Sequence, residues 1–418
     1  LTGSPGRREF KLLVVTLYYP PYVAGGYELL TRDAVVALRK RGYKIRVLAG
    51  KGERFASESD VMPWLEPDLD AGDPFRSAVH ASNRERLRLH FLRKSNLEAS
   101  ARAIAEEKPD LVFFFNLGLV SLAPILAARR AGVATLGYLS DSWAANHWVL
   151  DWRRAAGRKP LRLALLSFLW RCFRSYVRLG PFLCCSRHLL SRLEADRIAH
   201  GSGEVLHLGI PLDVESRTAE IEEPKRSAGA PLRVACISAL WAGKGQDVLV
   251  KAMGKVKRQG KSVELWLAAA SQSSAYREEL EALVRREELE DEIEFLDDRT
   301  RAELSRELEK SHALIVPSVW EEPFPLSTLE GMAHGLAVGV SDAGGSPEAI
   351  VDGVDGRVFE AGDVDALARV LLDWEGDEEQ RLRMGVAGRK KVRTEFSHSG
   401  FVDGLERAIQ RSSGVLEI

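Results

Sequence analysis

One pattern occurs twice in this chain and limits what it can fold into: a short β-rich run, a glycine-bearing turn, then an amphipathic helix. The first copy runs from Phe10 to Leu17, through Pro20 to Gly26, into Tyr27 to Arg41, with a second strand at Lys44 to Leu48. The second runs from Leu232 to Ser238, through Leu240 to Gly245, into Gln246 to Arg258, with a strand at Val263 to Ala269. Strands alternating with helices in this way need parallel sheets covered by helices on both faces. Two separate starts predict two such sheets. The length agrees, because 418 residues exceed what one hydrophobic core usually organises.

Further buried strands are predicted at Pro109 to Phe115, Ala134 to Leu139 and Phe182 to Ser186, with helices at Ala99 to Lys108 and Ser121 to Ala131. In the second half, strands are predicted at Glu292 to Leu296, Ala313 to Pro317 and Ala337 to Ser341. The helices there are Arg301 to Ser311, Leu326 to His334, Pro347 to Val351, Val364 to Trp374 and Glu378 to Thr394. The domain reading is therefore 10–210 for the first Rossmann-like domain, 211–231 for a Glu- and Pro-containing linker, 232–395 for the second domain, and 396–412 for a terminal helix. Residues 53–85, rich in Ser, Asp and Pro, break the rhythm and read as a functional insertion or a partly mobile loop.

Charge excludes some functions. Lys and Arg total 59 against 60 for Asp and Glu, a formal net charge of −1, so nothing global draws the chain to nucleic acid. The exception is local. Between Trp143 and Gly180 stand eight basic residues and a single acidic one, Asp151, interleaved with Leu161, Phe168 and Trp170. Residues 153–178 are thus a candidate for peripheral contact with an anionic membrane or an anionic acceptor, beside the plainer reading of a core helix with a cationic solvent face. The arginines interrupt any hydrocarbon-spanning run, no signal peptide is expected from the opening residues, and the four cysteines form neither a disulfide framework nor a metal pattern. A cytoplasmic location, with peripheral membrane contact as an option, is the expectation.

Three stretches carry candidate chemistry. In Pro317 to Gly335, PSVWEEPFPLSTLEGMAHG, Glu322 falls on the loop after a strand and Glu330 in the second turn of the following helix. Both then face the carboxyl end of the sheet, where open α/β folds bind ligands. Glu322 is suited to accept hydrogen bonds from sugar hydroxyls and Glu330 to accept both ribose hydroxyls, while the helix start favours a diphosphate. In Ser238 to Asp247, SALWAGKGQD, Lys244 sits in a glycine-bracketed turn that could project its ammonium toward phosphate. In Tyr19 to Glu28, YPPYVAGGYE, Gly25 and Gly26 let the backbone approach a ligand at a helix start. Each has a plainer alternative: helix-start charge placement, a solvated lysine, or simple turn geometry.

Together with DAGGSPEAIVDGVDGRVF at 342–359, these motifs resemble the nucleotide-sugar glycosyltransferases of the GT-B fold, the retaining family 4, over nearly the whole chain. The resemblance implies two Rossmann-like domains facing across a cleft, with the terminal helix returning to the first domain. It implies a nucleotide sugar donor held by the second domain and a hydroxyl acceptor, whether glycan, lipid carrier or small molecule, on the side of the first. Glu322 would bind the transferred sugar, the amides of Phe324, Leu326 and Ser327 the sugar and phosphates, Glu330 the ribose, Lys244 the diphosphate, and Gly26 that diphosphate from the other domain. The base would lie near Asp298 and Arg299. No cofactor or metal is expected, since cation and helix-end donors can neutralise the leaving diphosphate; Asp68-Leu69-Asp70 and Asp363-Val364-Asp365 read as solvated.

The chain departs from the family at two places. Ala239 stands where the family usually has a phosphate-binding Arg, and Ser140-Asp141 where many relatives have His-Asp. Asp141 remains an acceptor-side candidate, and His147 lies nearby in sequence. The departures keep alternatives open: a catalytically impaired relative that binds nucleotide sugar or a partner without turnover, or a phosphorylase or epimerase of the same architecture.

Overall fold

The computed structural model describes residues 9–22, 26–51, 59–67, 93–141, 143, 161, 164, 168, 180–195, 203–210, 231–269, 274–297 and 299–414. Contacts divide the chain into two units, residues 1–206 with 402–418, and residues 207–401. Each is described by itself.

In the first unit, the apolar run of β1 (Lys11–Val15) lies at the centre of a parallel sheet, paired with β2 (Lys44–Gly50) on one side and β4 (Leu111–Phe114) on the other. Among the described residues the sheet has seven strands, completed by β3 (Val61–Leu65), β5 (Ala134–Leu139), β6 (Phe182–Cys184) and β7 (Gly203–Val205), in the order β3-β2-β1-β4-β5-β6-β7. Leu13, Val14, Val47, Leu48 and Phe113 are fully buried, as strands covered on both faces require. The helices α1 (Gly26–Lys40), α2 (Lys94–Glu107), α3 (Ala123–Arg130) and α4 (Arg187–Ala195) connect or flank them.

Among the described residues the second unit repeats the plan with six strands in the order β10-β9-β8-β11-β12-β13. These are β8 (Leu232–Ile237), β9 (Val263–Ala269), β10 (Ile293–Asp297), β11 (Ala313–Val316), β12 (Ala337–Ser341) and β13 (Arg357–Phe359). Its helices are α5 (Gln246–Arg258), α6 (Ser274–Arg286), α7 (Arg301–Leu308), α8 (Leu326–Ala333), α9 (Val364–Gly376), α10 (Glu378–Glu395) and α11 (His398–Ser412). Local chemistry sets several starts. Thr300 and Glu303 form a capping box on α7, Asp363 accepts two amides at the start of α9, and Asp377 accepts the Gln380 amide in α10. The last part of α11 belongs to the first unit, where Arg41 bonds Asp403 at 2.5 Å and Glu406 at 2.7 Å and Tyr43 donates to Glu406 at 3.1 Å.

Some sequence expectations need correction. The helix predicted over Pro347 to Val351 is a four-residue 3-10 turn, Ser346–Ala349; Ile350 is extended, and Asp355 takes the Val351 amide at 2.6 Å, which ends it. The stretch 53–85 is not wholly outside the sheet, because β3 adds an edge strand at Val61–Leu65. Pro63 within it is tolerated at an edge. Elements α4, α6, β7 and β13 were absent from the sequence reading; the two strands are only three residues long, too short to show a period. The expected linker and the basic segment lie outside the described residues, save 231 in the former and 161, 164 and 168 in the latter. Among the described residues no helix is long and apolar enough to cross a membrane.

A buried hydrogen-bond chain ties the second sheet to its connections. Trp266 on β9 donates through Nε1 to Ser311 at 2.8 Å, and Ser311 donates to the Glu307 carbonyl at 2.8 Å. Removing the indole N–H with Trp266→Phe leaves a cavity and a buried hydroxyl that has lost its donor while keeping its bond to Glu307. It is expected to lower stability by about 1–3 kcal/mol in urea unfolding, with Ser311→Ala non-additive in the double variant.

Candidate active site

In each sheet the strand order reverses at one place, between β1 and β4 in the first and between β8 and β11 in the second. The loops leaving the carboxyl ends of such strand pairs are where open α/β folds bind ligands. In the second unit the loop after β8 carries Lys244, at the end of a 3-10 turn Ala242–Lys244, and the loop after β11 carries Glu322. Backbone bonds clamp the loops together: the amides of Val319 and Trp320 both donate to the Gly243 carbonyl, at 2.9 and 3.0 Å. Gly245 makes the approach possible. Its φ is +69°, and a Cβ there would come within 1.9 Å of the Pro317 carbonyl.

Held this way, Lys244 Nζ donates to Glu322 Oε1 at 2.5 Å, and Ser318 Oγ donates to the same oxygen at 2.7 Å. The carboxylate is nearly dry, with 6% of its side chain exposed against 19% for Lys244. A second turn closes over it. The Gly345 amide donates to the Glu322 carbonyl at 2.6 Å, and Gly344, at φ +66°, leaves no room for a Cβ beside the Glu322 backbone. Thus two residues singled out separately in the sequence meet as one ion pair, and Ser318, which sequence reasoning passed over, orients the carboxylate.

The sequence after Glu322 builds the adjoining wall. Phe324 is buried and anchors the loop, Pro325 precedes α8 in an extended conformation, and no side chain caps the helix. Leu326 and Ser327 therefore begin α8 at its electropositive end. Glu330 lies one turn on, with Arg301 Nη2 3.7 Å from its Oε1. Burial pushes the Glu330 carboxyl pKa up and the Arg301 charge partly offsets this. Arg301, at the start of α7, is a basic neighbour that the sequence did not single out. Arg299 is exposed, with Nη1 4.0 Å from Glu303. Ala239 uses its carbonyl, which accepts from Gln246 Nε2 at 2.9 Å.

In the first unit, Gly26 is the exposed first residue of α1, and Asp141 follows β5. What joins them is Tyr27. Its hydroxyl lies 2.8 Å from the Tyr138 carbonyl and 3.2 Å from that of Phe115, and it accepts the Ser140 amide at 3.0 Å. Asp141 accepts the Trp143 amide at 2.9 Å. Burial, reinforced by the charge of Glu28, nevertheless raises its pKa to about 6. Tyr27 and Glu28 were within the quoted motif but carried no signal separating them from ordinary helix-start residues. Gly25, His147, Asp298, Asp68 and Asp70 lie outside the described residues. Among the described residues, no three His, Cys, Asp or Glu side chains converge as a metal site.

Two outcomes follow from these environments. Lys244→Met strands a buried carboxylate and is expected to cost about 2–4 kcal/mol, while adding Glu322→Gln recovers part of that loss, as measured by chemical denaturation. For Asp141, a folded pKa near 6 lies above the unfolded carboxylate value, so its contribution to stability is complete below about pH 4 and is lost as pH rises through about 6. Asp141→Asn should gain on the parent across that window by about 1–3 kcal/mol, read from urea midpoints at either end.

Known proteins provide the comparison. Residues 218–391 match the family model described as "Glycosyl transferases group 1", and residues 24–214 match "Glycosyltransferase Family 4". The chain is 30% identical over 302 residues, 69% of its length and 73% of the relative's, to the GDP-mannose-dependent alpha-(1-6)-phosphatidylinositol monomannoside mannosyltransferase of Mycolicibacterium smegmatis. It is also 30% identical over 172 residues to the amylovoran biosynthesis glycosyltransferase AmsK of Erwinia amylovora, covering 40% of this chain and 42% of AmsK. Anabaena HepE, solved in complex with UDP and glucose, superposes with a TM-score of 0.67 at 17% identity, over 96% of this chain and all of HepE. The chain therefore belongs to the group 1 glycosyltransferases of glycosyltransferase family 4 and has the GT-B fold.

Proposed function

We propose that the chain is a metal-independent, retaining glycosyltransferase that moves a sugar from a nucleoside diphosphate sugar to a hydroxyl acceptor, with the donor bound at the crevice of the second unit. The observation that carries this is the Lys244–Glu322 pair at the strand-order reversal, beside the uncapped start of α8 and Glu330. The ammonium and carboxylate suit opposite ends of one donor. Breaking the anomeric C–O bond leaves negative charge on the diphosphate, which Lys244 and the first amides of α8 would stabilise more as it develops than before.

Glu322 would accept hydrogen bonds from hydroxyls of the transferred sugar, and its own charge stays balanced because Lys244 has donors for both the carboxylate and a phosphate oxygen. Glu330 would accept the ribose hydroxyls. Arg301, 3.7 Å from Glu330, would add a cation to this part of the site. Asp141 would serve the acceptor side, and in a retaining transfer a phosphate oxygen would receive the acceptor proton. Residues 153–178 would give peripheral contact with an anionic membrane or acceptor. The named donors of relatives support the donor class: GDP-mannose for the mycobacterial enzyme, and UDP bound with glucose in HepE.

A panel including GDP-mannose and UDP-glucose, incubated with the metal-free protein and chelator, should release nucleoside diphosphate for one donor. Glu330→Ala is expected to raise the donor KM by about tenfold or more, and Glu322→Gln to lower kcat by about a hundredfold with less change in KM. Unchanged kinetics in both variants would overturn the assignment, and thermal shifts without any release would favour a non-catalytic nucleotide-sugar binder.

A further inference from the structure

The second unit begins at His207 and ends at Phe401, so the chain passes between units at two places. Within this unit the incoming and outgoing segments are zipped together. The Ile210 amide donates to the Phe396 carbonyl and the His398 amide to the Ile210 carbonyl, both at 3.1 Å, around a parallel bridge between Ile210 and Ser397.

One side chain links this zipper to the Glu322 loop. The His207 ring lies 5.2 Å from Phe324 and 5.7 Å from Phe396, which are themselves 5.9 Å apart. Its Nε2 lies 3.0 Å from Glu348 Oε2. Phe324 stands two residues after Glu322, and Glu348 belongs to the 3-10 turn that follows Gly344 and Gly345, the pair closing over the Glu322 backbone. His207 therefore touches both segments that shape the loop, the loop itself through Phe324 and the turn above it through Glu348. Its side chain is 22% exposed and that of Glu348 14%, so the contact is largely shielded from water and its geometry is constrained.

We propose that His207 is a positioning residue for donor binding, coupling the Glu322 loop to the zippered segments through which the chain enters and leaves the second unit. Ring packing alone would be met by phenylalanine; what histidine adds is the hydrogen bond to Glu348. The coupling is reciprocal: a ligand that favours the ordered loop also favours the closed zipper, and loosening the zipper weakens the ligand by the same factor. The inference rests on the reading of this crevice as a nucleotide-sugar site.

The test combines hydrogen exchange with two variants. With the donor identified from the panel, the amides of Ile210 and His398 in the parent protein should exchange more slowly in the bound state, by about fivefold or more. His207→Phe, which keeps the aromatic packing, should raise the donor KM by about fivefold to tenfold with kcat changed less, and should lose that protection. His207→Gln, which can still donate to Glu348, should recover part of both. Parent-like KM and parent-like protection in His207→Phe would overturn the proposal while leaving the donor site intact, as would exchange in the parent that is the same bound and free. A parent protein that binds no nucleotide sugar by calorimetry would overturn the donor reading and this inference together.

Discussion

A nearly dry carboxylate held by one ammonium and one hydroxyl organises the second unit's crevice. A charge as buried as that of Glu322 is costly unless matched, and Lys244 and Ser318 match it. Matching requires the β8 and β11 loops to lie within hydrogen-bond reach, which the Gly243 carbonyl and the close approach of Gly245 to Pro317 secure. The residues suited to the chemistry also satisfy one another, so the crevice is ordered by its own electrostatics.

The acidic groups show how location divides similar residues by role. Glu322 takes an ammonium and a hydroxyl on one of its two oxygens, Oε1. Glu330 and Asp141 are instead pushed toward higher pKa by burial, the first partly offset by Arg301 and the second opposed by one amide and reinforced by Glu28. Groups with ordinary carboxylate chemistry in solution thus meet different environments in the fold, set by the cost of desolvation and the partners at hand. Tyr27 illustrates a related point, because one hydroxyl joins the first turn of α1 to the ends of β4 and β5 and fixes where Asp141 begins its turn.

Much of the fold was legible because parallel strands buried on both faces must be apolar runs, as KLLVV and ALIV are. Short edge strands were not legible: β7 and β13 have three residues each, and β3 contains Pro63. The predicted helix at 347–351 failed because a Pro at a first turn looks the same before a 3-10 turn as before a helix, and only the Asp355 contact ends it. In the candidate site, Lys244, Glu322 and Glu330 stood out by spacing within motifs. Ser318, Arg301 and His207 did not, because their significance lies in partners 4, 29 and 141 residues away.

The sequence by itself determined the two-sheet α/β class, the strand-turn-helix units that carry the candidate residues, and the family resemblance. Periodicity and glycine spacing are local properties, and local sterics convert them directly into elements. Tertiary structure alone decided that Lys244 meets Glu322, that Glu330 has a cationic neighbour, and that His207 joins a chain crossing to the loop beside them. Those facts depend on which loops the strand order brings together and on how much water the packing removes, and neither quantity is written in any single stretch of residues.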